Sequence, residues 1–554
     1  MVAMRISLAV ATAVLPSLLL GQDPPQCSSV LKSEVTLGPV SGHRIDSVFV
    51  ETAKPQLGRL ASLGEKIHVR TRPEVVRREL LFAPGDTVDT LSVAESLRRL
   101  RKLSFLEYAR VEARQCPTQS GETLSLTVVT RDSWTTRPDF RASSTSQRIG
   151  LTERNLLGTG RTVGIDLSSR NGSLGAGVTT FDAFGFGTGM TTRAQYHQYS
   201  DGSARSISLA RRQASLMDKW RGELDLYDQQ YEPKDAVSDN FERAGAELLG
   251  GLRLTPRRAA HGVYLLAGAE SENTSLIAAQ NADVVGPIRV ERHFTGPQLG
   301  VSVVSARYDT LTWLLPGGAV VDVPRTVEGE FLIGMGRGSV SARDTAGPPE
   351  ISHANFMTHY DGWLGHEWLP TRRSRIVSDI WASGYSRAGQ WQSNRTRAAI
   401  SAEHAASNGV WRLSIAGEHL REPDPDVRAL GIYDRALAFV PRRVRFSESA
   451  FSLSLERTRH LKSFGPQELD ASIFGAVSKR WDPSSTANAS EDFIVGVAGA
   501  GVALVPRRPG RATVRLDYGF PVTVSPGFKR TPRFSITILP WLETSRHREK
   551  NGLY

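Results

Sequence analysis

The chain has 554 residues, of which 40% are hydrophobic and 23% charged, with 50 Gly, 29 Pro and 2 Cys. This composition excludes a disordered chain, a disulfide scaffold, a cysteine-rich metal cluster and a long coiled coil. The net charge is +11, and 58 of the 68 basic residues are Arg. Because these arginines are scattered rather than gathered in one run, they argue against nucleic acid as a partner and favour a basic surface or a polar, charged lumen.

The start of the chain has the pattern of a secretory signal. Arg5 supplies the positive charge, and an apolar stretch over 6–20 ends at a small residue. We therefore predict a signal peptide over 1–21 and a linker over 22–42. Export places Cys27 and Cys116 in an oxidising compartment, where they either form a disulfide or remain two unpaired buried side chains. No later apolar run approaches the about 18 residues that a membrane-spanning helix needs.

Residues 43–131 have the pattern of a small α+β domain. The predicted elements, in order, are a strand over 44–50, helices that begin at Thr71 and Ser92, and strands over 107–114 and 122–131. Each helix start has the spacing of a capping box, with Glu three residues after the predicted cap. In the second helix the apolar residues share one face, and a basic face containing Arg98 and Arg101 lies opposite.

This segment resembles a POTRA domain. The resemblance is carried by Leu80–Asp89 (LLFAPGDTVD) and Leu97–Leu106 (LRRLRKLSFL). Together the two stretches follow the order found in the family: hydrophobic residues, then Gly-Asp, then a helix that contains Leu-Arg-x-Leu. Such a domain has an exposed strand edge that can accept another extended chain by β-augmentation. The alternative is an ordinary α+β domain whose edge is covered.

From about Asp139 to the end, apolar and polar residues alternate with a period of two. Clear cases lie at 451–456, 512–518 and 534–538, with Gly, Asn, Asp and Pro clusters between such segments. A soluble sandwich of this size would usually split into domains. About 410 residues at about 25 per strand and turn predict about 16 strands. A sheet in lipid must close, so we predict a mainly-β chain: a transmembrane antiparallel β-barrel over 139–554, preceded by one small α+β POTRA-like periplasmic domain.

With a signal, a POTRA-like unit and a barrel in this order, the chain resembles the outer-membrane assembly and translocation proteins typified by BamA and TamA. These proteins are of the bacterial surface antigen type. The most specific match is LTERNLLGTG over 151–160, where Asn155, Gly158 and Gly160 form the motif at the start of the barrel. RYDT at 307–310 and LDYGFP at 516–521 add to it. The alternative for the first match is a plain turn into the first strand.

The resemblance departs from the family at two places. Family members carry a Val-Arg-Gly-aromatic motif on a loop that folds into the lumen. Here Val427 and Arg428 are the candidate for this lid motif, but Ala and Leu follow them. The alternative is that Arg428 is an ordinary loop arginine. The last strand is predicted at 534–541, yet the chain continues with a polar stretch from 543 to 551.

No Gly-x-Ser-x-Gly elbow, His-Glu-x-x-His helix or Walker loop occurs in the sequence, so we expect no enzyme, catalytic residue, cofactor or metal. The resemblance implies a monomeric barrel in the cell outer membrane, with its POTRA-like domain in the periplasm. Its implied partners are outer-membrane lipids, unfolded outer-membrane or secreted client proteins and periplasmic accessory proteins. The implied function is insertion or translocation of polypeptides, the domain edge holding a client strand and passing it to the barrel. The alternatives are a passive pore or channel and a lipid-handling barrel.

Overall fold

A computed structural model describes most of the barrel and of the preceding domain. The described residues are 29–31, 40–55, 68–118, 121–142, 146–170, 173–182, 190–211, 218–231, 240–256, 259, 261–278, 288–305, 308–311, 321–325, 327–344, 355–387, 390–421, 449–464, 467–481, 493–506, 512–524 and 532–540. The predicted signal peptide, 1–21, and the tail after the last strand lie outside them. No helix in these ranges is long and apolar enough to cross a membrane.

The N-terminal part folds as an α+β domain. Its elements are β1 Ser29–Leu31, β2 Ile45–Ala53, α1 Pro73–Arg77, α2 Thr90–Lys102, β3 Leu106–Thr118 and β4 Gly121–Asp132. The sheet order is β1-β3-β4-β2, with β2 parallel to β4 and the other pairs antiparallel. Val76, Leu100 and Leu126 are fully buried in one apolar core between the helices and the sheet. The segment predicted as a linker therefore contributes a short edge strand, β1.

The predicted caps of both helices are wrong. The residue before α2 is Asp89, whose carboxylate accepts hydrogen bonds from Leu91 N at 3.2 Å and Ser92 Oγ at 2.8 Å. Asp89 takes the cap because its carboxylate is charged and already lies at the helix start, whereas Ser92 lies within the helix. At α1 no side chain caps the helix, because the Thr71 hydroxyl donates to Asp132 at 2.6 Å instead.

The remainder forms a closed antiparallel β-barrel, which confirms the predicted fold class. Its strands are β5 Thr136–Ala142, β6 Ser146–Glu153, β7 Arg161–Arg170, β8 Ser173–Asp182, β9 Thr191–Tyr199, β10 Gly202–Arg211, β11 Trp220–Tyr231, β12 Asn240–Arg253, β13 His261–Ala278, β14 Ile288–Ser305, β17 Glu328–Asp344, β18 Asn355–Thr371, β19 Ser374–Arg387, β20 Gln390–Ala406, β21 Gly409–Arg421, β22 Ser449–Phe464, β23 Gln467–Trp481, β24 Phe493–Pro506, β25 Ala512–Val524 and β26 Arg533–Pro540. A separate hairpin, β15 Tyr308–Leu311 with β16 Val321–Pro324, lies in the connection between β14 and β17. Strand β26 neighbours β5 and closes the barrel.

The described part of the barrel contains twenty strands rather than about 16. They occupy 405 residues from Thr136 to Pro540, so a strand with its connection takes about 20 residues and not about 25. The difference arises because several connections are two-residue turns, such as those at 200–201 and 407–408. The first strand begins three residues before the predicted start at 139, and the last ends one residue before its predicted end at 541.

The two faces of the barrel wall differ in chemistry. Outward positions carry exposed apolar side chains on nearly every strand; Ile165, Ile207, Leu265, Phe331, Ile400, Leu453, Ile473 and Phe520 are examples. Inward positions carry buried charges; Asp166, Glu272, Arg292, Glu330, Glu403, Glu456 and Asp517 are examples. An apolar outer face around a charged interior is the arrangement of a membrane-spanning barrel, because lipid surrounds the first and water or ion pairs satisfy the second.

Candidate functional site

The α+β domain contacts the barrel through a buried chain of hydrogen bonds. Asp132, fully buried at the end of β4, lies 2.8 Å from His68 Nε2 and accepts from Thr71 N at 2.8 Å. The Thr71 hydroxyl in turn accepts from Asn155 Nδ2 at 2.8 Å. Asn155 Oδ1 accepts from Gly160 N at 2.7 Å. Since Asn155 follows β6, this chain of hydrogen bonds joins the domain to the turn between β6 and β7.

The turn between β6 and β7 has a backbone that fits closely against the domain. Leu157, Gly158 and Gly160 have positive φ values of 53°, 73° and 75°. Arg72 N donates to the carbonyl oxygen of Gly158 at 2.9 Å. A Cβ atom on Gly158 would lie 2.2 Å from the carbonyl oxygen of Arg70, so this position needs glycine for space as well as for φ.

A second contact joins helix α2 to the β15–β16 hairpin. Arg101 donates two hydrogen bonds to the Asp322 carboxylate, at 3.1 and 2.7 Å. The Arg98 guanidinium lies 4.9 Å from the centre of the Tyr308 ring, and its Nε donates to Glu95 at 2.6 Å. Arg98 is only 4% exposed. The predicted basic face of α2 is therefore in part a contact surface.

The hairpin is itself held to the barrel. The Tyr308 hydroxyl donates to the Glu328 carboxylate at the start of β17, at 3.3 Å. Burial raises the pKa of the Tyr308 hydroxyl well above its ordinary value, so this donor keeps its proton at neutral pH. Leu311 and Val323 are buried.

Both contacts lie at the same end of the barrel. Strands alternate in direction, and β6 and β14 run the same way, so the connections that follow them are at one mouth. Eight strands separate these connections on one side of the barrel and twelve on the other. The domain consequently reaches across this mouth from one wall to nearly the opposite wall.

The lumen wall is lined by ion pairs. Glu272 accepts from Arg243 and Arg292, each at 2.7 Å, and Arg515 donates to Glu456 at 2.7 Å. Other pairs of this kind are Arg221 with Glu330, Arg375 with Glu367 and Arg412 with Glu403. Many of the scattered arginines therefore line a charged lumen, as one of the two interpretations of the composition predicted.

Two places in the described structure offer unfilled β pairing. At the barrel seam, β5 and β26 have 7 and 8 residues, whereas β13 and β14 have 18 each. In the domain, β2 forms one edge of the sheet. The other edge is only partly covered, because β1 pairs with Ala113–Gln115 and no described strand pairs with 106–112 on the side of β3 that faces away from β4.

One group of side chains in the described ranges has the spacing of metal ligands. His460, Glu468 and Asp470 have ligand atoms within 4.8 Å of one another. Both imidazole nitrogens of His460 already have protein partners, Asp470 at 3.1 Å and Ser463 at 3.2 Å. We assign no metal to this group.

The structure brings together only some of the sequence-predicted site residues. Asn155, Gly158 and Gly160 meet at the domain contact described above. Val427 and Arg428, the candidate lid motif, lie outside the described residues, in the connection between β21 and β22. Cys27 also lies outside them, as does the side chain of Cys116. The sequence reasoning missed Asp132, Thr71 and Asp322 as contact residues; the RYDT match at 307–310 was the nearest signal, since it includes Tyr308.

Comparison with known proteins gives similarity to solved outer-membrane barrels. No family model and no curated protein matches the chain. BamA from Haemophilus ducreyi lacking POTRA domains 1–3 is 11% identical, with 88% of this chain and 85% of that chain covered and a TM-score of 0.36. CdiB from Escherichia coli is 10% identical, with 90% and 75% covered and a TM-score of 0.41. CdiB from Acinetobacter baumannii is 8% identical, with 90% and 74% covered and a TM-score of 0.37.

Proposed function

We propose that this chain is a bacterial outer-membrane protein of the BamA/TamA-like class that inserts or translocates polypeptides, with its α+β domain acting as a periplasmic POTRA domain. The observation that carries the proposal is the anchoring of this domain across one barrel mouth, at Asn155 and at Asp322. A passive pore needs no domain fixed across its mouth, whereas a protein that receives an extended chain needs a binding edge held close to the barrel.

The path of the client follows from the same contacts. The Asn155 turn lies between the second and third barrel strands, one hairpin from the seam of β5 and β26. A client strand paired to the open part of β3 or to β2 would add to the domain sheet through backbone hydrogen bonds. It would then reach the seam, where two short strands leave little pairing to separate. The reaction makes and breaks no covalent bond, so no cofactor is needed.

The test is depletion of the protein in its native host, followed by quantitative proteomics of the outer membrane. We expect a defined set of other barrels or secreted proteins to fall and to recover when the wild-type chain is restored. An unchanged set of proteins would contradict the proposal. Single-channel conductance of the purified chain then separates the rivals: steady open current favours the passive pore, and altered outer-membrane lipid composition without current favours a lipid-handling barrel.

A further inference from the structure

The outer wall near the end of the chain carries a groove of about 510 Å³, formed by β22 to β26. The small side chains of Ala471 and Ala500 face outward at its floor. The larger Leu516, Tyr518 and Phe534 rise along one side; all three are 41–71% exposed. The groove is therefore a gap in the apolar outer surface, on the face that lipid surrounds.

The other side of the groove is basic. Arg457 and Arg459 lie two residues apart on β22, on the same outward face as Leu453 and Leu455, and they pair in register with Ile473 and Ala471. Neither arginine forms an ion pair within the described residues, and no lining residue of the groove is acidic. Basic side chains on the lipid face near the interface attract anionic headgroups, and no acidic lining residue competes for these two arginines, so an anionic partner from outside the chain suits them.

The depth of these arginines is that of lipid headgroups. The Arg457 guanidinium lies 4.7 Å from the centre of the Trp411 ring, and Trp411 lies two residues after the start of β21. Trp220, at the start of β11, and Trp368, near the end of β18, are also outward, 46% and 56% exposed. Because these two strands run in opposite directions, both tryptophans lie near the barrel mouth that faces the α+β domain. Outward tryptophans of this kind mark the membrane–water interface.

We propose that this groove binds one anionic glycerophospholipid of the membrane leaflet on the domain side, with its phosphate on Arg457 and Arg459 and an acyl chain over Ala471 and Ala500. The location of this groove in the membrane rests on the proposed function, but the binding of lipid does not depend on the handling of client proteins. A second copy of the chain fits less well, because a symmetric contact through this face would bring two pairs of arginines together without an acidic partner in the groove.

The contribution of the two arginine charges to lipid binding is tested on the purified full chain by native mass spectrometry. The chain is incubated with equal amounts of phosphatidylglycerol and phosphatidylcholine of the same acyl chains, and retained lipid is counted. Wild type should retain one phosphatidylglycerol in preference, and R457Q and R459Q should each lower this preference about fivefold. R337Q, which removes an exposed outward arginine of β17 outside the groove, should leave it unchanged. No preference in wild type, or equal loss in R337Q, would overturn the proposal, as would a dimer in place of a lipid adduct.

The shape of the groove is tested separately. Ala500→Phe fills the floor without changing charge, and Ala498→Phe places the same side chain two residues along the same outward face, outside the lining. We expect A500F to lose the retained lipid and A498F to keep it, with both variants showing the heat-modifiable electrophoretic mobility of a folded barrel. Equal retention by A500F and A498F would overturn the assignment of the groove. Because neither measurement involves a client protein, lipid retention can fail while polypeptide insertion holds, and the reverse.

Discussion

At the scale of single residues, the domain contact depends on a few buried polar atoms. Asn155 is 3% exposed and uses both ends of its amide, donating to Thr71 Oγ1 and accepting from Gly160 N. Thr71 passes the interaction to the fully buried Asp132. Buried groups of this kind gain little when paired and lose much when one partner is removed, so each member depends on the others.

Asn155→Ala should loosen the domain from the barrel. It leaves the Gly160 amide without its acceptor and the Thr71 hydroxyl without its donor, at a cost of about 1–3 kcal/mol. The matched control is Thr159→Ala in the same turn, which removes only a bond to the carbonyl oxygen of Leu156. Hydrogen exchange of residues 68–78 should rise in N155A and change little in T159A. Equal exchange in the two variants would contradict the assigned role of Asn155.

Gly158→Ala tests the close approach at the same turn. The new Cβ would collide with the carbonyl oxygen of Arg70, and φ of 73° adds strain of about 1–2 kcal/mol. Gly85→Ala is the control, since Gly85 has φ of 96° but no atom within 4 Å of an added Cβ. Limited proteolysis should release the domain faster in G158A than in G85A. The same rate in both would mean that backbone strain alone, and not the contact, decides the effect.

At the scale of elements, α2 and the β15–β16 hairpin form a contact that is weaker than the one at Asn155. Arg101 and Asp322 have side chains 24% and 14% exposed, so water partly screens their attraction. Arg98 adds a planar contact with the Tyr308 ring.

A double-mutant cycle of Arg101→Ala and Asp322→Ala measures this contact. We expect a coupling free energy of about 1 kcal/mol in domain protection against protease, because the pair is bidentate but partly exposed. Arg77 with Glu74 is the control pair: it is mostly exposed, lies within α1 and should show no coupling to domain protection. Additive effects of R101A and D322A would remove the hairpin from the domain contact.

Strand β1 bears on whether Cys27 and Cys116 pair, a question that the sequence leaves open. The strand begins two residues after Cys27. It pairs with Ala113–Gln115, which ends one residue before Cys116. In an oxidising compartment we expect the two cysteines to pair, and reduction should raise amide exchange at 113–115 by freeing β1. Peptide mapping under non-reducing conditions identifies the bond. Maleimide labelling of both thiols in the exported, unreduced protein would rule it out.

At the scale of the whole molecule, the barrel separates a lipid face from a charged lumen, and adjacent residues of one strand belong to opposite sides. Leu453 of β22 faces outward, and Ser454 faces inward. The lumen holds many ion pairs, so an added charge there meets polar and charged neighbours, whereas lipid on the outer face offers none. The barrel wall therefore tolerates a new charge on its lumen face and not on its lipid face.

Leu453→Lys and Ser454→Lys test this division. The outward lysine should destabilise the barrel folded in lipid vesicles by about 2–4 kcal/mol if it lies near the bilayer centre. The inward lysine adds a charge to a polar lumen and should cost clearly less. Urea titration followed by heat-modifiable electrophoretic mobility gives both values. A smaller loss for L453K than for S454K would reverse the assigned faces.

The sequence by itself determined the fold class, because period-two alternation such as that of Phe451–Glu456 depends only on which neighbours differ in polarity. The Asn155 motif was also visible, since its glycines mark a turn that few residues can form. The number of strands could not be predicted, because turn lengths vary and the two-residue alternation does not show where a strand ends. Only the tertiary structure decided that Thr71 binds Asp132, 61 residues later, and that Arg98 is buried against Tyr308, 210 residues later. It also decided that Arg101 meets Asp322, 221 residues later. Local patterns record what a residue prefers, and long-range packing decides which of its possible partners it meets.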